Sequence, residues 1–230
     1  MAAMRDSGSP RKKTLLRLAV IGAAMLLPAG ISVAADAPPP VWQMVDKTPP
    51  GPMPGEPVLG KADAPITIIE YASLTCPHCA AFDARTLPKV RQDWIDTGKA
   101  RLVFRDFPLD RLALRAAVLT HCVPPERYFD FVDRLFREQQ SWFRLEEKEA
   151  LARAASLGGL SEADAEACLA DTQHIEAVAV ARATAEQDYG VDSTPTFFIG
   201  KMKIGGAYPY EDPEHRDFKS ALETALSQKR

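Results

Sequence analysis

Two apolar runs separated by a stretch of helical spacing dominate the first half of the chain. Residues Ile66 to Tyr71 are rich in β-branched and aromatic side chains and follow Pro65, which is typical of a buried strand. The run from Arg101 to Phe107 predicts a second strand. Between them, Pro88 predicts a kink and Gly98 the end of a helix. The apolar members of that helix are Ala80, Phe82, Leu87, Val90 and Trp94. This order predicts a βαβ unit with parallel strands.

Helical spacing continues through the middle of the chain, where residues 110–189 contain no convincing strand. Ser161 and Asp171 are suited to cap helix N-termini, and Gly190 is suited to end the last helix. Apolar residues recur three and four positions apart, as in Tyr128, Phe131, Val132, Leu135 and Phe136. We therefore expect residues 110–189 to form an all-helical insertion.

Strand-like runs return near the end of the chain. Thr196 to Ile199 and Lys201 to Ile204 predict two short strands. Asp212-Pro213 predicts the start of a final helix that ends near Leu226. The whole pattern predicts an α/β core that the helical insertion divides in two. The expected parts of this core are residues 58–109 and 190–230.

The N-terminal part of the chain differs in composition from the rest. Residues 1–35 combine early basic residues with an apolar stretch from Leu18 that ends in small residues, which is typical of a secretory signal peptide. Cleavage is expected after Ala35, with Ala37 as a second site, and a retained membrane anchor is the alternative. Residues 36–57 are rich in proline and predict an extended leader or linker.

The composition narrows the function classes. The chain has 230 residues, of which 46% are apolar and 26% charged, and its formal net charge is -3. This balance shows no basic excess, so we expect no nucleic-acid partner. The four cysteines are one close pair and two distant single residues, Cys122 and Cys168. Together with the signal peptide, this even number indicates an oxidising compartment and an exported protein.

The close pair of cysteines is the dithiol Cys76-Pro77-His78-Cys79. Cys76 is expected where a strand ends and a helix begins, and Pro77 suits the first helical position because it has no N–H. A helix N-terminus and a donor from His78 would both favour the Cys76 thiolate and lower its pKa. Cys79, one turn further in, would be the resolving thiol. Stabilising the reduced form in this way makes the disulfide form an oxidant of other thiols.

Two other uses of the dithiol remain open. A zinc site would need a second close pair of Cys or His ligands, but Cys122 and Cys168 stand far apart and no His pair has ligand spacing. We therefore expect no metal and no other cofactor. An inert structural disulfide is the other alternative, although cysteines three apart at a helix start close a strained ring of the labile kind.

From about residue 56 to residue 227, the sequence resembles the DsbA-like family of periplasmic thiol:disulfide interchange proteins. The resemblance rests on the segment from Glu70 to Cys79, on the helical region and on the segment from Ser193 to Gly200. It implies an α/β, thioredoxin-like fold with an inserted all-helical subdomain. DsbA is itself the standard example of a low cysteine pKa and an oxidising disulfide, so the resemblance and the local chemistry are not independent arguments.

The resemblance also implies roles for residues around the dithiol. Pro195 would be a cis-proline that faces the dithiol, and a trans proline at a strand start is the alternative. Thr194 would offer its backbone to an extended substrate segment, with Pro77 as a second substrate contact. Glu70 would relay the proton of Cys79, which requires burial and a raised pKa, although strand alternation could also place it at a solvated edge.

The two distant cysteines are assigned by the same resemblance. Cys122 and Cys168 would form a structural disulfide in the insertion, and closing a loop of this length would stabilise the fold by about 3–4 kcal/mol. Two free buried cysteines are the alternative.

Three functions follow from these features. The first is a monomeric dithiol oxidase that donates the Cys76–Cys79 disulfide to folding exported proteins with free thiols. A quinone-linked, DsbB-like membrane thiol oxidase would reoxidise it. The second is an isomerase or reductase, with which Thr194 before Pro195 is compatible. The third is a non-catalytic periplasmic chaperone or carrier whose cysteines serve only stability.

Overall fold

A six-stranded mixed sheet forms the centre of the protein. The computed structural model describes residues 41–214 and 216–229. The expected signal peptide, with its cleavage sites at Ala35 and Ala37, lies outside these residues. The strands are β1 (Trp42–Met44), β2 (Val58–Leu59), β3 (Ile66–Ala72), β4 (Ala100–Asp106), β5 (Thr196–Ile199) and β6 (Met202–Gly205). Their order across the sheet is β1-β6-β5-β3-β4-β2.

The central strands β3 and β4 run parallel, with Ile66 opposite Ala100 and Ala72 opposite Asp106. This pairing confirms the predicted βαβ unit, and both strands lie within one residue of their predicted bounds. On its other side, β3 pairs antiparallel with β5, which places Glu70 opposite Phe197. The second part of the core thus joins the first directly beside the strand that leads to the dithiol.

Part of the proline-rich leader belongs to the sheet. Strand β1 pairs antiparallel with β6, with Trp42 opposite Ile204. Further along the leader, the Arg105 guanidinium donates to the carbonyls of Pro50 and Gly51, each at 3.1 Å, and bonds Glu56 at 2.6 Å. Extended proline-rich backbone is compatible with an edge strand, and a strand of three residues is too short to give a periodic signal.

The segment between β3 and β4 is helical but interrupted. It consists of α1 (Pro77–Arg85), α2 (Leu87–Val90) and a π-helical turn at Arg91–Ile95. The interruption falls at Thr86, two residues before Pro88, which has no N–H to donate to the carbonyl four residues earlier. Gly98 ends the segment with a φ of 77°, a left-handed conformation that favours glycine. The predicted kink and terminator are both confirmed.

The insertion contains only helices over residues 110–189. They are α3 (Arg111–Thr120), α4 (Tyr128–Arg137), α5 (Gln139–Trp142), α6 (Glu147–Leu157), α7 (Glu162–Ala170) and α8 (Thr172–Tyr189), with a 3-10 turn at Pro125–Arg127. The Ser161 and Asp171 side chains accept hydrogen bonds from the first turns of α7 and α8, which confirms both predicted caps. Gly190 ends α8 with a φ of 62°. Over the described part of the chain, no helix has the length and apolar character required to cross a membrane.

A disulfide closes the insertion on itself. Cys122, in the turn after α3, is bonded to Cys168 of α7, with the two Cα atoms 6.2 Å apart and a sequence separation of 46. It lies beside the core of the insertion, in which Trp142, Tyr128 and Phe131 are fully buried. The bridge therefore holds two helices of one cluster together.

The predicted start of the last helix is wrong. Helix α9 spans Phe218–Ser227 and begins after Asp217, whereas Asp212-Pro213 lies in the turn before it. The Asp217 carboxylate accepts hydrogen bonds from the backbone N–H of Ser220 at 2.7 Å and of Asp212 at 2.9 Å. Asp217 is thus a stronger cap than Asp212, because one carboxylate both caps the helix and closes the preceding turn.

Helix α9 and helix α1 pack together against β5 through aromatic rings. Phe197 lies 4.4 Å from Phe82 and 4.9 Å from Phe218 between ring centroids. All three rings are fully buried. Such tilted aromatic packing fixes α1, and with it the dithiol, against the sheet.

The two candidate caps can be told apart by their effect on stability. We expect Asp217→Ala to lower the free energy of unfolding by about 1–2 kcal/mol, because the start of α9 loses its cap. Asp212→Ala should lower it by less, about 0.5 kcal/mol, because it removes only the hydrogen bond that Asp212 accepts from the Glu214 N–H in the turn. Urea unfolding followed by circular dichroism measures both, and equal losses would contradict the observed helix start.

Candidate active site

The dithiol lies at the junction of β3 and α1. Cys76 is the N-cap residue of α1, with extended backbone angles of φ -78° and ψ 121°, and Pro77 occupies the first helical position. The Cys76 N–H donates to the Ser73 carbonyl at 3.0 Å, which closes a tight turn before the helix. The free N–H groups of the first helical turn therefore lie beside the Cys76 sulfur, as the sequence predicts.

These contacts favour the Cys76 thiolate. A hydrogen bond from the Cys79 thiol is the largest cause, and contacts from Thr194 and from the backbone N–H groups of Cys79 and His78 add to it. Burial acts in the opposite direction, yet the pKa of Cys76 is lowered to about 5. Cys76 is therefore ionised in the reduced protein at neutral pH.

Cys79 has the opposite character. Its side chain is completely buried, and burial together with the neighbouring Glu70 and Cys76 charges raises its pKa well above the ordinary thiol value. Both cysteines are free thiols in this structure. The pair thus consists of an outer thiolate and an inner thiol, which is the asymmetry required of an attacking and a resolving cysteine.

Thr194 and Pro195 form the wall opposite the sulfur. The Thr194–Pro195 peptide bond is cis and lies directly before β5. The Thr194 carbonyl accepts a hydrogen bond from the Cys76 thiol at 3.3 Å. The Thr194 hydroxyl is buried and has no other partner among the described residues, and it favours the ionised sulfur. One residue can therefore contact both the thiol and the thiolate form of Cys76.

Glu70 is buried in the middle of β3 and not at a solvated edge, with 3% of its surface exposed. Burial is the main cause that raises its pKa well above the ordinary carboxyl value, and the Asp83 and Cys76 charges add to it. Its charge in turn acts on Cys79. Burial thus favours the protonated form of Glu70, and the carboxyl is close enough to the inner cysteine to interact with it electrostatically.

The side chains of Pro77 and His78 are exposed. The His78 group that acts on the Cys76 sulfur is its backbone N–H, whereas the sequence predicts an action of the side chain. An exposed His78 ring and an exposed Pro77 ring beside the sulfur form part of the surface that an approaching protein would meet.

Two residues of the insertion hold the turn that carries Cys76, and sequence reasoning missed both. The Gln139 side chain donates hydrogen bonds to the carbonyls of Leu74 at 2.9 Å and of Cys76 at 3.0 Å. The Thr75 hydroxyl donates to the Asp110 carboxylate at 2.7 Å. A glutamine at the start of a short helix has no distinctive pattern in sequence, and only its burial against the turn reveals its role.

The site contains no evident metal ligands. Over residues 41–214 and 216–229, no three or more His, Cys, Asp or Glu side chains converge in the way that a metal centre requires.

The asymmetry of the thiols predicts a simple titration. In the reduced protein, the ultraviolet absorbance of the Cys76 thiolate should change with a midpoint near pH 5, and Cys79 should remain a thiol at higher pH. Because the folded-state pKa is lowered, the ionised Cys76 stabilises the reduced fold fully above the ordinary thiol pKa of about 8.5. This stabilisation declines below that pH and is lost as the pH falls through about 5. A midpoint near 8.5 in reduced protein would contradict the geometry.

Gln139→Met tests whether the insertion positions the dithiol. We expect the pKa of Cys76 to rise by about 0.5–1 unit, because the turn loses two donors and the helix N–H groups lose their alignment with the sulfur. Trp142→Phe is the matched control, because Trp142 lies on the same short helix as Gln139. This substitution removes the hydrogen bond that the Trp142 ring donates to the Leu135 carbonyl of α4. The control should lower stability and leave the Cys76 pKa unchanged. An equal pKa in all three proteins would refute the positioning role.

Comparison with known proteins points to one family. The family model described as Thioredoxin matches residues 53–220. A putative protein-disulfide oxidoreductase of Rickettsia bellii is 31% identical over 148 residues, which cover 64% of this chain and 57% of that protein. This chain therefore spans little more than half the length of that relative. Disulfide bond formation protein D of Bacillus subtilis is 35% identical over 96 residues, which cover 38% of this chain and 43% of that protein.

Solved structures agree with the family model. The crystal structure of alpha-DsbA1 from Wolbachia pipientis is 33% identical, covers 78% of this chain and 94% of its own, and has a TM-score of 0.70. Oxidised BdbD from Bacillus subtilis is 23% identical with a TM-score of 0.63, covering 77% of this chain and 96% of its own, and shares the fold. These similarities confirm the predicted thioredoxin-like fold with a helical insertion.

Proposed function

This chain belongs to the DsbA-like branch of the thioredoxin family, and on that basis we propose that it is a thiol-disulfide oxidoreductase acting as a dithiol oxidase. The observation that carries the proposal is the contrast within the pair, a Cys76 pKa lowered to about 5 beside a Cys79 pKa raised by burial. A stabilised Cys76 thiolate lowers the free energy of the reduced protein. The disulfide form is then driven to oxidise other thiols.

The reaction proceeds through a mixed disulfide. A substrate thiolate attacks the Cys76 sulfur, the Cys76–Cys79 bond breaks, and Cys79 leaves as a thiolate that takes a proton from Glu70. A second substrate thiolate then attacks the substrate sulfur of the mixed disulfide and releases Cys76 as a thiolate. The substrate loses two electrons and gains a disulfide, and the protein becomes the dithiol. The low pKa of Cys76 makes it a good leaving group in the second step.

Thr194 and Pro195 bind the substrate segment in this proposal. The Thr194 carbonyl lies 3.3 Å from the Cys76 sulfur, so an extended peptide pairing with this backbone would bring its cysteine to that sulfur. Pro77 and His78 provide the opposite, exposed side of the entry.

The N-terminal sequence supports a proposal for the cellular location. We assign residues 1–35 as a signal peptide and the mature domain to the periplasm, where clients are exported proteins with free thiols. The dithiol must be reoxidised after each cycle, for which a quinone-linked, DsbB-like membrane thiol oxidase is the expected partner. The domain acts as a monomer, with Cys122–Cys168 as a structural disulfide and no cofactor.

Two measurements test the direction of the reaction. Equilibration with glutathione should give a redox potential closer to about -120 mV, as in strong oxidants, than to about -270 mV, as in thioredoxin. The oxidised protein should also introduce disulfides into reduced, unfolded ribonuclease. A thioredoxin-like potential combined with rapid reactivation of scrambled ribonuclease would instead establish the isomerase or reductase function.

Trapping the intermediate tests the roles of the cysteines. Mixed with a peptide that carries a disulfide, Cys79→Ala should accumulate a mixed disulfide at Cys76, because the Cys76 thiolate displaces one peptide thiol and no resolving thiol remains to release the other. Cys76→Ser, the matched control, should form none, since Cys79 is completely buried. Mass spectrometry of non-reduced samples distinguishes the two. Full activity of Cys76→Ser would support the non-catalytic chaperone or carrier.

A further inference from the structure

Glu70 is buried at the centre of the sheet, so a proton that it exchanges with Cys79 needs a path to the solvent. Glu70 lines a small cavity of about 20 Å³ between the sheet and the helices. A water molecule needs roughly 10–15 Å³ of such space, so the cavity has room for about one water. Apolar side chains form most of its remaining wall, among them Leu59, Phe104 and Phe136.

We propose that Asp83 and Asp133 form the proton outlet of the dithiol and connect Glu70 to the solvent through this cavity. Asp83 lies on α1, four residues after Cys79, and Asp133 lies on α4. Both line the small cavity together with Glu70. The inference rests on the proposed function, because Glu70 has to exchange protons only if Cys79 cycles between thiol and disulfide.

The same two carboxyls reach the surface on their other side. They line a second cavity of about 400 Å³, whose remaining wall includes Arg91, Arg137 and Asp96. Arg91, Arg137 and Asp96 are exposed, so this outer cavity is in contact with the solvent. Four residues line both the inner cavity and the surface cavity, namely Asp83, Leu87, Arg91 and Asp133. The two carboxyls among them thus have the position that a proton outlet requires.

The charges around Asp83 suit it to exchange protons near neutral pH. Burial and the Asp133 charge raise the pKa of Asp83 to about 7, while Arg137 and Arg91 act in the opposite direction. Asp133 also forms an ion pair with Arg137. A carboxyl whose pKa lies near the ambient pH gives and takes protons at similar cost, which is the condition for an efficient relay.

The proton balance of one cycle is complete with these groups. When the disulfide opens, the Cys79 thiolate takes a proton from Glu70, and the resulting Glu70 carboxylate takes one from Asp83 through the water. Asp83, which shares its site with Asp133, recovers a proton from the solvent at the outer cavity. When the dithiol is reoxidised, each proton moves in the opposite direction.

Reoxidation of the dithiol by oxidised glutathione separates the relevant steps. Cys76 attacks first and forms a mixed disulfide, and Cys79 then loses its proton and resolves it. We expect Asp83→Asn to slow the second step about tenfold at neutral pH, with the Cys76 pKa and the first step unchanged. Asp83→Glu should restore the rate. Asp96→Asn, which alters only the outer cavity, should leave both steps unchanged.

A double variant tests whether Glu70 and Asp83 belong to one path. If they do, Glu70→Gln with Asp83→Asn should be no slower in the second step than Glu70→Gln alone. Multiplied losses, or an unchanged second step in both Asp83→Asn and Asp133→Asn, would overturn the outlet. Two positions are used so that one misfolded variant does not decide the result. Absence of both steps in the wild-type protein would instead overturn the proposed function.

Discussion

The contact between the Cys76 sulfur and the first turn of α1 is the interaction on which the rest of the site depends. Unpaired N–H groups at a helix start favour negative charge, and here the acceptor is the sulfur of Cys76, a residue that is 4% exposed. The Cys79 thiol and Thr194 add to the same preference and lower the Cys76 pKa to about 5. The balance between the dithiol and the disulfide form therefore depends on where the Cys76 sulfur lies relative to the start of α1.

Keeping the sulfur at that position requires support from distant parts of the chain. Helix α1 packs against β5 and α9 through Phe82, Phe197 and Phe218. The turn before it is bonded to the insertion through Gln139 and Asp110. The insertion is thus more than a cover for the sheet, because it supplies the polar contacts that define the start of the catalytic helix.

Burial affects the groups of the site differently. Cys76 is buried beside the exposed Pro77 and His78, whereas Cys79 has no exposed surface. In Cys79 and Glu70, burial is the main cause that raises the pKa. A low-dielectric interior therefore favours the protonated forms of the inner thiol and the buried acid, while hydrogen bonds favour the ionised form of the outer sulfur. In the proposed reaction, this separation of roles requires a proton to move through the interior.

The sequence by itself determined the features that are local in the chain. The strand before Cys76, the helix beginning at Pro77, the kink near Pro88, the caps at Ser161 and Asp171 and the helical character of residues 110–189 all follow from periodicity and capping chemistry over a few residues. The dithiol is also evident from the sequence, because Cys76 and Cys79 lie within one short segment.

Only the tertiary structure decided what depends on residues far apart in sequence. Thr194 meets a sulfur 118 residues away, Gln139 reaches a turn 63 residues before it, and β1 pairs with β6 across most of the chain. Alternation along β3 could not show whether Glu70 faces water, because that depends on the helices packed over it. Asp217 rather than Asp212 caps α9 because its carboxylate also binds the preceding turn. Contacts of this kind form only when distant parts of the chain pack together, and the pattern of a few neighbouring residues does not determine that packing.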